Sequence, residues 1–232
     1  MCGIVGVASN HPLTNFDYLR RGRDAMQHRG PDDAGEWWSD DRRIGFAHRR
    51  LSIIDLSPSG HQPMRYRDSD LCIVFNGELY NYIDLRQKML SRGYVFQTQS
   101  DTEVILAAYS EWGRECLEYF NGMFAFAIYD KNNQELFIAR DRAGEKPLFY
   151  SFNRGVLYFA SELKGLFANP KLPRKVNLSA LNHYLSVGYI PGDLCIIDNV
   201  KKLPPAHALV YNLDTNEIKS WRYWGMPELV NS

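Results

Sequence analysis

Residues 1–10 read MCGIVGVASN. The run from Gly3 to Ala8 is apolar and contains β-branched residues, so it reads as a buried strand. Cys2 stands directly before that strand. A small residue at position 2 permits removal of Met1, after which Cys2 carries a thiol and a free α-amine on one residue. An α-amine has a pKa near ~7.7–8.0, so roughly a third of it is neutral at pH 7.5, whereas a lysine near ~10.4 is ~0.1% neutral. Such an amine is a ready base for its own thiol. On a retained Met1 it would be displaced by a whole residue. The plainer alternative is an incidental cysteine at the edge of a strand.

Composition narrows what this strand can belong to. Among 232 residues, 45% are hydrophobic and 23% charged, enough for a real core in one large domain. Lys+Arg and Asp+Glu both number 27. That balance argues against a nucleic-acid partner, whose binding rests on phosphate neutralisation. Cys2, Cys72, Cys116 and Cys195 are far apart and form neither a zinc spacing nor a disulfide framework. The opening has no basic region before it and is too short for a signal peptide or membrane span. A cytoplasmic chain with reduced thiols, free of membrane, is expected.

Downstream, residues 14 to 28 predict a helix with Thr14 as N-cap and Tyr18, Leu19, Ala25 and Met26 on its inner face. Strands are expected at GEWW, RIGFAHR, LSIID and LCIVF, then helices near 80–91 and 102–112. From Gly122 the pattern becomes strands separated by turns: MFAFAIYD, ELFIARD, PLFYSF, VLYFAS, HALVYNLD and EIKSWRYW, with DKNNQ as a hairpin connection. A short helix follows at SELKGLFAN and another near 178–186. Grouped rather than alternating elements predict antiparallel sheets covered by helices.

Three further stretches carry chemistry. NGELY at 76–80 follows an apolar strand and offers the Asn76 amide and the Gly77 backbone N–H, two donors suited to an oxyanion. Asn-Gly is also the commonest hairpin turn, and both readings stand. In HRRLSIID, Arg50 lies among apolar residues, where a guanidinium suits a carboxylate; a surface ion pair is the alternative. In QTQSDTEVIL, Asp101 reads as a helix N-cap, with Ser100, and as a fixed carboxylate. A nucleophile, two oxyanion donors, one cation and the carboxylates Glu78 and Asp101 suit an amino-acid substrate bearing a carbonyl. HRGPDD predicts a loop in which Asp32 or Asp33 caps or pairs with Arg29, and Arg140, Asp141 and Arg142 predict a buried ion-pair network. His28 and His48 leave a Cys–His dyad as a rival, and Cys72 and Cys116 read as core.

MCGIVGV, HRGPDD, HRRLSIID, FNGELYNY, SDTEVIL, GMFAFAIYD, RDRAGEKPLFY, ASELKGL and KLPPAH, in this order from residue 2 to about 211, resemble the class II glutamine amidotransferase domain of glutamine-hydrolysing asparagine synthetases. That family is of the N-terminal-nucleophile hydrolase type. The resemblance implies an α+β fold, a four-layer αββα sandwich of two antiparallel sheets between helices. It implies a glutaminase domain over 1–215, with 216–232 starting a linker toward an absent ATP-pyrophosphatase synthetase domain. By motif, Cys2 would be the nucleophile, Asn76 and Gly77 the oxyanion hole, Arg50 the holder of the L-glutamine α-carboxylate, and Glu78 and Asp101 the holders of its α-ammonium. Ile53 would offer backbone contacts. No metal or cofactor is expected in this chain, with ATP and Mg confined to the synthetase domain. That domain and L-glutamine are the expected partners, a homodimer is left open, and ammonia would pass to the synthetase. With Met1 retained, the chain would instead be a catalytically silent glutamine-sensing or docking module.

Overall fold

The computed structural model describes residues 1–66 and 70–226. In chain order the first half comprises β1 (Gly3–Ser9), α1 (Asp17–Asp24), β2 (Asp33–Trp38), β3 (Ile44–Arg50), β4 (Met64–Arg65) and β5 (Leu71–Leu79). It continues with α2 (Tyr82–Leu90), α3 (Asp101–Trp112) and α4 (Cys116–Tyr119). The second half comprises β6 (Gly122–Asp130), β7 (Glu135–Arg140), β8 (Phe149–Asn153), β9 (Val156–Ala160), α5 (Leu163–Phe167) and α6 (Leu178–Val187). It closes with β10 (Lys201–Lys202), β11 (His207–Asn212) and β12 (Ile218–Arg222).

The strands form two antiparallel sheets, ordered β10-β8-β9-β1-β3-β2 and β12-β11-β7-β6-β5-β4. Side chains alternate across a strand, so each sheet presents two faces, and here both are buried. Ile4 and Ala8 of β1, Phe46 of β3, Val74 of β5 and Ala125 and Ala127 of β6 fill the space between the sheets. The alternate residues Val5 and Val7 meet Leu19 and Met26 beneath α1 and Leu166 of α5. On the far side, Ile73 and Phe75 of β5 and Phe124, Phe126 and Ile128 of β6 meet Val104, Ile105 and Ala108 of α3. Three apolar layers between four structural layers make the αββα sandwich that the family resemblance implied, with the antiparallel sheets covered by helices that the grouped sequence pattern predicted. Burial on both faces is why these strands read as unbroken apolar runs rather than alternating ones.

Local chemistry shifts several boundaries. Helix α1 starts at Asp17 after Phe16, not at a Thr14 cap, because the Asn15 side chain accepts the Asp17 N–H at 3.2 Å. Ala25 lies outside it and is exposed, while Tyr18, Leu19 and Met26 are buried. LSIID is not a strand: β3 stops at Arg50 and the following residues form a loop. Helix α3 is capped by Ser100, whose hydroxyl accepts the Thr102 N–H at 3.1 Å, leaving Asp101 free for another role. The Asn-Gly pair is no turn, since β5 runs through it with Asn76 opposite Ala125 and Gly77 opposite Phe124.

At the far end, β12 pairs with β11, so residue 215 falls inside the connecting turn and the sheet extends to Arg222. Residues 227–232 of the expected linker lie outside the described residues. Among the described residues, no helix is long and apolar enough to cross a membrane.

Candidate active site

The antiparallel register of β1 and β3 brings the separated motifs together. Gly3 pairs with Arg49, so Cys2 falls beside Arg50, one step beyond. Beyond the paired ends, the Cys2 thiol lies between main-chain groups of Leu51, with the Leu51 N–H donating to Sγ at 3.4 Å. The last residues of β5 and the first of α3 close the same end of the sandwich. A cleft with about 110 Å³ of space results, and Cys2, Arg50, Ile53, Asn76, Gly77, Glu78 and Asp101 all line it. Every residue singled out from sequence for the site is therefore brought to one place.

Asn76 is fully buried, and neither its Nδ2 nor its Oδ1 has a hydrogen-bond partner among the described residues. A buried amide without partners costs about 1–3 kcal/mol, so its exception to the usual pairing marks a group reserved for something else. Gly77 follows because β5 and β6 approach closely there: a β-carbon at this position would collide with the Met123 carbonyl oxygen. Strand pairing thus fixes the amide and the Gly77 backbone at the cleft wall.

Arg50 is buried, and its guanidinium donates to the Ser57 carbonyl at 2.9 Å and to that of Asp55. These bonds wrap the 51–60 loop around it. Gly60 is required there, since a β-carbon would strike Arg50 Nη2. Asp55 is held in turn by the Ser57 hydroxyl at 2.6 Å and the Gln99 N–H at 3.0 Å. Ile53, on the loop, is 59% exposed at the rim. Across the cleft, Asp101 Oδ2 accepts the Leu79 N–H at 3.0 Å. Burial, together with the charge of Glu78, raises the Asp101 pKa to about 6.

Burial also pushes the Cys2 thiol upward, against the Leu51 hydrogen bond and the terminal amine, which favour the thiolate. The thiol therefore needs a base to ionise near neutral pH. Histidine does not supply it: none lines the cleft among the described residues. His48 lies between the sheets, its Nε2–H donating to the Phe75 carbonyl at 3.0 Å, and burial lowers its pKa to about 4. His28 instead meets Glu162 at 3.0 Å. The terminal amine of this chain belongs to Met1, which lines the same cleft, and burial lowers its pKa below the ordinary value.

Sequence reasoning missed three contributors. Arg29 was expected to pair with Asp32 or Asp33; instead its Nε donates to the Cys2 carbonyl at 2.8 Å and its Nη1 meets Glu162 at 2.8 Å. Asp32 accepts the Ser52 N–H at 2.8 Å, and Asp33 meets His61 at 2.7 Å. Among the described residues the Arg140–Arg142 stretch is hydrogen-bonded to main chain rather than ion-paired. Arg140 donates to the Lys146 and Leu203 carbonyls at 2.7 and 2.6 Å, while Asp141 accepts the Phe124 and Lys146 N–H groups at 3.2 and 3.0 Å. This turn delivers Lys146 to the cleft, where Met123 also lies. GEK within a polar stretch gave no hint of that burial.

A family model described as glutamine amidotransferase domain matches residues 1–224. Asparagine synthetase [glutamine-hydrolyzing] 1 of Bacillus subtilis is 42% identical over 88% of this chain and 32% of its own length. Asparagine synthetase [glutamine-hydrolyzing] 3 of the same organism is 38% identical over 97% of this chain and 37% of its own length. The chain thus spans about a third of these relatives. The solved glutamine phosphoribosylpyrophosphate amidotransferase of B. subtilis shares the fold with a TM-score of 0.69 at 21% identity, over 97% of this chain and 50% of that one. The sandwich, the cleft and the matched residues agree: the chain belongs to the glutamine amidotransferase domain family.

Proposed function

We propose that the chain hydrolyses L-glutamine to L-glutamate and ammonia through a thioester on Cys2. The observation that carries this reading is the buried, unpartnered Asn76 amide beside Gly77 in the cleft that holds the thiol. With Met1 removed, the Cys2 amine takes the thiol proton and the sulfur attacks the carboxamide carbon. Charge developing on the carbonyl oxygen falls to Asn76 Nδ2 and the Gly77 N–H. The amine then gives the proton to the leaving ammonia, and water, activated by the same amine, releases glutamate. Arg50 receives the α-carboxylate, with Glu78 and Asp101 receiving the α-ammonium and Ile53 at the rim. The reaction as written uses this chain's side chains, the Gly77 N–H, the terminal amine and water. The relatives' names, asparagine synthetase [glutamine-hydrolyzing], support delivery of the ammonia to a synthetase portion; that portion would use ATP and Mg, in the cytoplasm.

The substrate clamp is tested through glutamine affinity. Arg50→Ala is expected to raise KM by about 10–100-fold while kcat falls much less, the loss expected for a charge-assisted bidentate contact. An unchanged KM would remove Arg50 from the clamp.

Asp101 adds a pH dependence. Its carboxyl is raised to about 6, above the unfolded value, so its ionisation opposes folding as pH rises and that cost is relieved in acid. Binding has the opposite requirement, because an ammonium needs the ionised form. Glutamine affinity of the Cys2→Ala chain, read by calorimetry, is expected to fall about tenfold per pH unit below about 6. Asp101→Asn should bind weakly with no such slope. A wild-type slope surviving in that variant would assign the titration elsewhere.

A further inference from the structure

Residues 177–192, NLSALNHYLSVGYIPG, carry no Asp, Glu, Lys or Arg in a chain that is 23% charged. Helix α6 forms most of this stretch and is well started, since the Asn177 side chain accepts the Ala180 N–H at 3.0 Å. Only Ala180 of that helix is buried. Leu178 and Leu185 are 75% and 74% exposed, and Tyr184, Val187 and Tyr189 are exposed as well. No other stretch of this length among the described residues exposes as many large apolar side chains. Single exposed apolar residues are ordinary, whereas a contiguous uncharged group of them marks an interaction surface. A helix apolar on every side belongs in an interior, and one this short has little stability in water without tertiary packing.

We infer that α6 is the surface on which a synthetase portion of the same polypeptide docks. The inference rests on the proposed delivery of ammonia and adds where the receiving portion sits. Hydrogen bonds tie the end of α6 to the cleft. The helix leads into Ile190, whose carbonyl accepts from the Lys202 ammonium of β10. The next residue, Leu203, offers its carbonyl to Arg140 Nη1 at 2.6 Å. Arg140 Nε also donates to the carbonyl of Lys146, a cleft residue, at 2.7 Å. The Arg140 carbonyl in turn accepts the hydroxyl of Tyr223, the residue after β12, at 2.9 Å. One arginine thus joins the end of α6, the cleft wall and the exit from β12. Polypeptide joined after β12 starts beside α6, at the end of the sandwich where ammonia is released. The chain spans about a third of the relatives named as asparagine synthetases, so the rest of such a protein is large enough to cover a helix. A lipid surface suits α6 less well, because helices that lie on membranes carry Lys and Arg on their polar face.

The test uses the intact product of the chain's whole reading frame. Benzoylphenylalanine replaces Leu178, Leu185 or Tyr189 in turn, with Asp40, in the β2–β3 turn at the opposite rim, as the control position. After irradiation, peptide mapping is expected to join each α6 position to the synthetase portion beyond Ser232, at a yield about tenfold above the control. Leu178→Asp combined with Leu185→Asp would bury two unpaired charges in that contact, so the crosslink from Tyr189 should fall about tenfold or more. Glutamine hydrolysis by this double variant should stay within about twofold of wild type, since α6 does not line the cleft. Crosslinks to a second copy of the chain, or yields no higher than at Asp40, overturn the inference. Absence of glutamine hydrolysis in the wild-type product would refute the Cys2 reading alone, with the docking still decided by the crosslinks.

Discussion

Cys2→Ala, in a chain that starts at residue 2, is expected to reduce ammonia release from glutamine by about 10⁴-fold or more, with the fold unchanged. The magnitude is that of removing a covalent nucleophile, for which no neighbouring group substitutes. The other cysteines offer no replacement. Cys72 and Cys116 are buried in the apolar layers, and burial pushes both thiols far above their ordinary pKa. Among the described residues the side chain at position 2 hydrogen-bonds only with main-chain groups of Leu51, so its loss leaves β1 and its pairing with β3 and β9 intact. Retention of Met1 should inactivate the chain comparably, since it moves the amine about 3.8 Å along the backbone from the residue that carries the thiol. Coupled assay of glutamate formation, alongside thermal melting, checks both. Activity within about tenfold of wild type in Cys2→Ala would end the assignment.

Asn76→Ala is expected to lower kcat by about 10²–10³-fold while leaving KM within a few-fold. The split follows from geometry. The amide makes no hydrogen bond among the described residues, so it has no such bond to lose. Its donor acquires a full partner only when charge develops on the substrate oxygen, which is a transition-state interaction and appears in kcat. Stability should rise or stay level, because the substitution removes a buried polar group without a partner. Asn76→Asp, which places an acceptor where a donor is required, should be at least as slow. A proportional rise in KM with unchanged kcat would make Asn76 a ground-state contact instead.

What was legible in the sequence followed local chemistry. Apolar runs such as GIVGVA and LCIVF located strands, and helix-period segments located α2 and α3. The nine ordered motifs located Cys2, Arg50, Asn76, Gly77, Glu78 and Asp101, all of which line one cleft. What was not legible depended on tertiary register. Asn-Gly satisfies a turn equally well in isolation, and only pairing of β5 with β6 through Asn76–Ala125 carries the strand across it. LSIID has strand composition, yet Arg50 draws the backbone carbonyls of Asp55 and Ser57 toward itself and folds it into a loop. Arg29 finds Glu162, 133 residues away, in preference to the adjacent aspartates, because the α1 turn packs beside α5. Lys146 is buried by a turn that Asp141 and Arg140 organise through main-chain bonds, which leave no mark in residue spacing.

The central claim, covalent catalysis by a terminal Cys2, is tested most directly by quenching the chain during glutamine turnover and measuring its intact mass and peptide map. The account predicts that active molecules lack Met1 and that a γ-glutamyl adduct forms on Cys2, absent from the Cys2→Ala chain. Ammonia release by molecules that retain Met1, or an adduct mapped to any other residue, would contradict it.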